Sequence, residues 1–241
     1  IALSQILGRE FLRPYATLPH PNALAGYLVV VLLILSNLNK KAFKIAVFPV
    51  SVVIFLCLSK AVFLGFFIGI IIYVASKFYK QKSVYVFLFF TFLLLSLTTP
   101  IFANLVFERD LYLQKETIER LGLSITAVRM FIKNPIFGVG LGNFIAVESS
   151  FVERGSVLLQ PVHNVFLLIL SETGFVGALA FSILFALFLT KIRKGISGSI
   201  FVGVLISTSF FDHYWFTLPQ NTLILAVFIG IIFAKIKRPK C

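Results

Sequence analysis

Residues 164–190 read NVFLLILSETGFVGALAFSILFALFLT, apolar after Asn164 except for one carboxylate, Glu172, and a few small hydroxyl side chains. A helix that crosses the hydrocarbon core of a bilayer needs about 20 mainly apolar residues, so Asn164–Thr190 reads as a membrane span. Six further stretches read the same way: Ala23–Leu38, Ile45–Leu58, Ala61–Ser76, Val84–Thr98, Ile196–Phe211 and Asn221–Ala234. The whole composition agrees, with 59% of the 241 residues hydrophobic, 29 of them phenylalanine, and only 13% charged. Soluble domains hold about 45–50% apolar and about 25% charged residues, so that class is excluded. The expected fold is an all-α polytopic transmembrane helical bundle of about seven spans, forming a single membrane domain over residues 1–241. The chain starts at Ile1 with no visible signal peptide, which predicts that it begins inside a longer protein and is N-terminally incomplete.

The boundary between the second and third spans, Leu58-Ser59-Lys60, carries no Gly or Pro. One uninterrupted helix from Ala42 to Ser76 would nevertheless run to roughly 52 Å, against a hydrocarbon core of about 30 Å. Two spans joined by a tight turn fit better. Charge tests this independently. With Ala23 outside, the inner face collects Lys40, Lys41, Lys44, Lys77, Lys80, Lys82, Lys191, Arg193, Lys194, Lys235, Lys237, Arg238 and Lys240, and no acid. The outer side holds Arg9, Arg13, Lys60, Arg109, Lys115, Arg120, Arg129, Lys133, Arg154 and every acid. The formal net charge of +13 therefore sits on one side, a positive-inside pattern that accounts for the basic balance without nucleic acid. Merging the second and third spans breaks it. Cys57 and Cys241 fall on opposite sides and cannot pair, and two cysteines make no metal framework.

One long segment, residues 99–163, lies outside the spans and on the outer side, and long loops in compact proteins tend to be functional. Within it Glu116–Lys133 reads as a helix, with Ile118, Leu121, Ile125, Val128 and Ile132 forming one apolar stripe. Such a helix is expected to lie along the bilayer or the bundle. Arg120 and Arg129, nine residues apart, point to nearly opposite faces of it, so one of the two is expected to serve a ligand. Then follows Asn134-Pro135-Ile136-Phe137-Gly138-Val139-Gly140-Leu141-Gly142-Asn143-Phe144. Pro135 stops the helix, and the alternating Gly138, Gly140 and Gly142 allow close backbone approach. The run follows a helix rather than a strand, which excludes a dinucleotide fingerprint. A tight structural turn is expected ahead of an anion cradle. Next, His163 and Asn164 open the fifth span, with Glu172 nine residues on. A carboxylate inside a span marks a functional or pairing site. The nine-residue separation puts it nearly opposite His163, so pairing of Glu172 with a cation from another span is expected, and Gly174 and Gly177 suit close helix packing.

These motifs resemble those of the O-antigen ligase and polymerase-like membrane glycosyltransferases. The family's periplasmic-loop signature is His, then Asn, Ser or Gln, nine residues, Gly, two residues, and Gly, Thr or Tyr. His163-Asn164, Val165–Thr173 and Gly174-Phe175-Val176-Gly177 satisfy it. Asn134–Phe144 is similar to the family's run of Pro and alternating glycines ending in Asn-Phe, and Arg13–Ala25 to the segment preceding one of its spans. The matches keep the family's order over essentially the whole chain. Two positions depart: the family's Ser-Arg is Ser59-Lys60 here, and Lys lacks the fork-shaped grip of a guanidinium on phosphate; an aromatic usual four residues after the loop arginine is Ser124. Relatives have about ten to twelve spans.

The resemblance implies a multi-pass protein of the bacterial cytoplasmic membrane. It would move a glycan from a polyprenyl (undecaprenyl) diphosphate carrier to an acceptor hydroxyl on the outer face, as in O-antigen ligation to lipid A core, without bound metal or cofactor. Its partners would be the lipid-linked glycan donor, a lipid or glycan acceptor and membrane lipid, and no nucleic acid. The carrier is already an activated leaving group, so the protein must hold two phosphates and remove one proton. Arginine and lysine serve the first need, and a neutral histidine the second. His163 is accordingly expected as the base, with Arg120 and Lys60 on the diphosphate and Arg13 and Arg129 in reserve; Glu172 or Asp212 is the next proton acceptor. A surface-glycan polymerase or a protein O-oligosaccharyltransferase of the same family would use the same donor chemistry. A transporter or flippase would also suit an intramembrane Glu172 beside broken backbone.

The charge partition makes a direct prediction about sidedness. A cysteine at Ser149 should react with a membrane-impermeant thiol reagent in intact cells, and one at Ser197 should not. Labelling confined to Ser197→Cys would invert the topology.

Overall fold

The computed structural model describes residues 3–6, 9–78, 115–152, 158–192 and 196–236. Among them the chain is helical apart from one antiparallel hairpin, β1 Leu3–Ile6 and β2 Arg9–Leu12, with Leu3 opposite Leu12. The helices are α1 Pro21–Leu38, α2 Lys40–Leu56, α3 Lys60–Ala75, α4 Lys115–Lys133, α5 Phe144–Val147, α6 Val165–Lys191, α7 Ile196–Phe211, α8 Tyr214–Thr217 and α9 Pro219–Ile236. Six of the expected spans thus fall on α1, α2, α3, α6, α7 and α9; the fourth, Val84–Thr98, lies outside the described residues. Two helices, α1 and α6, are each long and apolar enough to cross a membrane, and shorter apolar helices run over Lys60–Ala75, Ile196–Phe211 and Pro219–Ile232.

The chain divides into two compact units. In the first, among the described residues, are the hairpin, α1 to α3, α7 as far as Thr208, and α8 with α9. Local chemistry sets its helix ends. The His20 imidazole accepts from the Asn22 N–H with Pro21 at the first helical position, and the Asn39 side chain accepts from the Ala42 N–H. Both satisfy amide donors that a helix start leaves unpaired. The tight turn expected near Leu58–Lys60 is present at Cys57–Leu58, where Leu58 takes a φ of 47°. Arg13 pins that turn, donating Nε to the Cys57 carbonyl at 2.7 Å and Nη2 to Asn22 Oδ1 at 3.0 Å. α3 and α7 cross on glycine: a Cβ on Gly203 would strike the Gly65 carbonyl, and one on Gly69 would lie 2.5 Å from the Ile200 Cα. The Ser207 hydroxyl donates to the Ala61 carbonyl at 2.7 Å beside this crossing. Small residues and a hydrogen-bonding hydroxyl are how helices associate where apolar burial alone gives little gain.

The second unit holds α4, α5 and α6 with Ser209–His213. Its core joins Leu123, Ala127 and Met130 of α4 to Phe144, Val162, Leu167 and Leu168. Of the expected stripe, Val128 packs against the edge of this core, whereas Ile118 and Ile132 are 52% and 67% exposed, which a helix lying along the bilayer or the bundle allows.

The α3–α7 crossing generates a stability prediction. Gly203→Leu should force the helices apart and cost roughly 1–3 kcal/mol as an overpacking change, read as a lower unfolding temperature of the detergent-solubilised protein. An unchanged transition would show that the crossing is not a close one.

Candidate active site

The centre of the second unit is a break in α6. Gly174 takes φ 64° and ψ −164°, so two helical segments meet there. A regular helix would bond the N–H groups of Phe175 and Val176 to the carbonyls of Ser171 and Glu172. Instead, Phe175 and Val176 donate to the carbonyls of Pro135 and Ile136 at 2.8 and 3.2 Å, while Val139 and Gly140 donate to the carbonyls of Ser171 and Glu172 at 3.0 and 2.8 Å. Each group the break releases is therefore re-paired by the glycine run, as buried backbone requires. Gly138, Gly140 and Gly142 all have positive φ. A Cβ on Gly138 would strike the Glu172 backbone and one on Gly174 the Ile136 carbonyl, so both positions demand glycine for space as well as for conformation.

The glycine run then turns its N–H groups onto the Glu172 carboxylate: Gly142 donates at 2.9 Å and Phe144 at 3.1 Å. The expected partner of Glu172 was a cation from another span. Among the described residues the buried carboxylate instead has two backbone amides, which satisfy it without the desolvation of a second charge. The expected tight turn is present, and it is also a cradle, for an anion of the chain itself. At Gly177 the missing Cβ leaves room for the Thr173 side chain, whose hydroxyl donates to the Ile169 carbonyl at 2.6 Å.

Upstream of the break, Asn164 starts α6. Its Oδ1 accepts from the N–H groups of Phe166 and Leu167 at 3.0 and 3.1 Å, an N-cap. The cap fixes the residue before it, His163, at the helix mouth between buried Val162 and buried Asn164. His163 Nδ1 points at Asp212 Oδ1, 3.6 Å away. That is slightly beyond hydrogen-bond length, and Nδ1 is buried with no hydrogen-bond partner among the described residues. Asp212 is 6% exposed and its Oδ1 accepts from the His213 N–H at 2.8 Å. Burial alone would raise its carboxyl, but the His163 N–H aimed at it, the charges of His213 and His163, and the His213 amide outweigh burial and hold it at about 2. The His213 ring lies 5.0 Å from that of His163, centroid to centroid. Arg120 reaches the same segment, Nη1 donating to the Phe211 carbonyl at 3.0 Å, one residue from Asp212.

Of the residues expected at the site, the second unit thus brings together His163, Asn164 and Arg120. Glu172, Gly138, Gly140, Gly142 and Gly174 build the support beneath them. Arg129 is directed elsewhere, with Nη1 3.4 Å from the Phe151 carbonyl. Arg13 and Lys60 belong to the first unit, Arg13 as the clamp already described and Lys60 exposed at the first position of α3. Sequence reasoning gave Asp212 only a reserve role and His213 none. The available signal was that Asp212 is the sole acid after Glu172 and interrupts an apolar stretch. Glu148 carried no signal at all, yet its buried carboxylate accepts from the N–H groups of Leu158 and Leu159 at 3.0 and 3.1 Å and ties down the approach to His163.

Comparison with known proteins returns one family: a model described as O-antigen ligase matches residues 45–182. No curated protein and no solved structure matches the chain.

The cradle makes a testable prediction. Glu172→Ala leaves the amides of Gly142 and Phe144 without their acceptor, at about 1–3 kcal/mol for the unsatisfied donors. It should open the glycine run to limited proteolysis, whereas Glu172→Gln, which keeps an acceptor oxygen, should stay more resistant. Equal resistance of both variants and wild type would remove the cradle from the account.

Proposed function

Because the chain belongs to the O-antigen ligase family, with more than half of its length matched, we propose that it transfers a glycan from a polyprenyl diphosphate carrier to an acceptor hydroxyl at the outer face of the bacterial cytoplasmic membrane. Ligase- or polymerase-type glycan transfer is the family's chemistry, and lipid-linked glycans are its substrates. The observation that carries the site assignment is the buried Asp212 carboxylate facing Nδ1 of His163, with Arg120 anchored one residue away.

A carboxylate at Nδ1 favours the tautomer that carries its proton there, which leaves the Nε2 lone pair as the acceptor. The 3.6 Å separation is of the kind that closes when substrate binds. In the proposed step, Nε2 of His163 takes the proton of the acceptor hydroxyl as its oxygen attacks the anomeric carbon. The bond from that carbon to the diphosphate breaks, and the carrier leaves with the electron pair. Asp212 steadies the imidazolium that forms, and it stays ionised at every working pH because its carboxyl titrates at about 2. Arg120 is the guanidinium assigned to the charge developing on the leaving diphosphate. Lys60 and Arg13 are proposed as further diphosphate contacts; Arg129, turned toward Phe151, is the least favoured. The protein is proposed to act without a metal cofactor. Acceptor identity separates an O-antigen ligase from a polymerase or a protein O-oligosaccharyltransferase, and ligation to a lipid A core is the reading adopted.

Loss of a general base typically costs about 10²–10⁴-fold, or roughly 3–5 kcal/mol at about 1.4 kcal/mol per tenfold. His163→Ala in the full-length protein should show a loss of that size in donor-linked glycan consumption with membrane insertion intact; retention of more than about a tenth of the rate would demote His163. Arg120→Lys should cost more than Arg129→Lys, and Lys60→Arg should be tolerated. Equal losses at Arg120 and Arg129 would refute the arginine assignment. The sign of the pH dependence follows from Asp212: a lowered carboxyl is already ionised above about pH 2, so its protonation should take no part in any change of activity between pH 8 and 5. Asp212→Asn should therefore lower the rate without changing the shape of the profile over that range.

A further inference from the structure

We infer that His163, Asp212 and His213 form a binding site for a borderline transition-metal ion, Zn²⁺ foremost, and that its occupancy switches transfer off. One donor atom from each residue lies within 4.8 Å of the others. The 3.6 Å between His163 Nδ1 and Asp212 Oδ1 is too long for a hydrogen bond. It is close to the spacing of about 3.4 Å that two ligands adopt on one tetrahedral zinc at about 2.0–2.2 Å from the ion. His163 Nδ1 is also a buried nitrogen without a hydrogen-bond partner among the described residues. Native structures rarely leave such an atom unless an ion, a water or a chemical role claims it. Two imidazoles and a carboxylate are a donor set that suits zinc. The His213 N–H holds the Asp212 carboxylate at 2.8 Å, the outer support that metal-ligating carboxylates use. His163 and His213 are each partly exposed, which leaves a fourth position for solvent.

The inhibitory consequence rests on the reading of His163 as the proton acceptor. A neutral imidazole carries one N–H proton. With that proton on Nδ1, the Nε2 lone pair is available. An ion bound at Nδ1 displaces the proton to Nε2, no charge is lost from the ring, and the lone pair that must accept from the acceptor hydroxyl disappears. The metal would thus act by fixing the wrong tautomer, without touching the donor.

The test uses the full-length protein in detergent, stripped with chelator and titrated with Zn²⁺ by calorimetry, alongside glycan transfer. One Zn²⁺ per chain is expected, with saturable loss of transfer reversed by chelator. His213→Ala should weaken Zn²⁺ binding by at least about tenfold, and whatever transfer that variant retains should lose its sensitivity to Zn²⁺ in the same proportion. Absence of stoichiometric binding, or an affinity unchanged by His213→Ala and Asp212→Asn, would overturn the site. If either variant fails to fold, Co²⁺ added to the wild-type protein decides: tetrahedral visible absorption supports the site, and its absence overturns it. Zn²⁺ bound through these residues with transfer undiminished would overturn the switch, leaving only the metal site, and would remove His163 Nε2 from the proton-accepting role.

Discussion

The second unit depends on one carboxylate held by two amides. Glu172 is buried in the middle of an apolar helix, where an unsatisfied charge would cost several kcal/mol, and the N–H groups of Gly142 and Phe144 supply its acceptor bonds. For those amides to reach it, the glycine run must lie against α6, and for the run to lie there, α6 must open at Gly174. Four backbone hydrogen bonds exchanged between the run and the break make the two changes a single structure. Phe144, delivered by the same turn, enters the core with Leu123, Met130 and Leu167. Support therefore passes from the cradle to the packing of α4 on the start of α6, and from there to the Asn164 cap and His163.

The proposed reacting end of the unit joins pieces distant in sequence. His163 comes from the N-terminus of α6, Asp212 and His213 from the segment after α7, and Arg120 from α4. A base on a capped helix end, oriented by a carboxylate on another segment, has the preorganisation that general-base chemistry requires. In the proposed reading Arg120 supplies the positive charge that a diphosphate leaving group needs, its Nη1 donating to the carbonyl beside Asp212. The same convergence of nitrogen and oxygen donors gives the site its susceptibility to zinc, since a base open to an acceptor hydroxyl is also open to a metal ion.

Much of the helical architecture was legible because hydropathy and helix length are local properties. Ile196–Phe211 coincides with α7, and the expected turn between the second and third spans is present because no bilayer needs so long a helix. The His163-to-Gly177 pattern spans both the capped start of α6 and the break at Gly174. Pairing across the chain was not legible. The nine-residue count from His163 to Glu172 argued correctly against a dyad, but nothing in a linear string says that the Glu172 partners are amides of a glycine run about 30 residues upstream. Which face of α4 enters the core was not legible either, because the buried row mixes Leu123, Thr126, Ala127 and Met130 and shows no apolar stripe of its own in the sequence. Nor does a linear string say that Asp212 faces His163, which lies on another element.

The claim on which the functional account turns is that His163 accepts the proton, and chemical rescue tests it most directly. Added imidazole and its substituted analogues should restore glycan transfer to membrane-inserted His163→Ala protein, with a rescued rate that rises with the basicity of the additive. Failure of every analogue small enough to enter the vacated space, in protein that still binds the lipid-linked donor, would contradict the account.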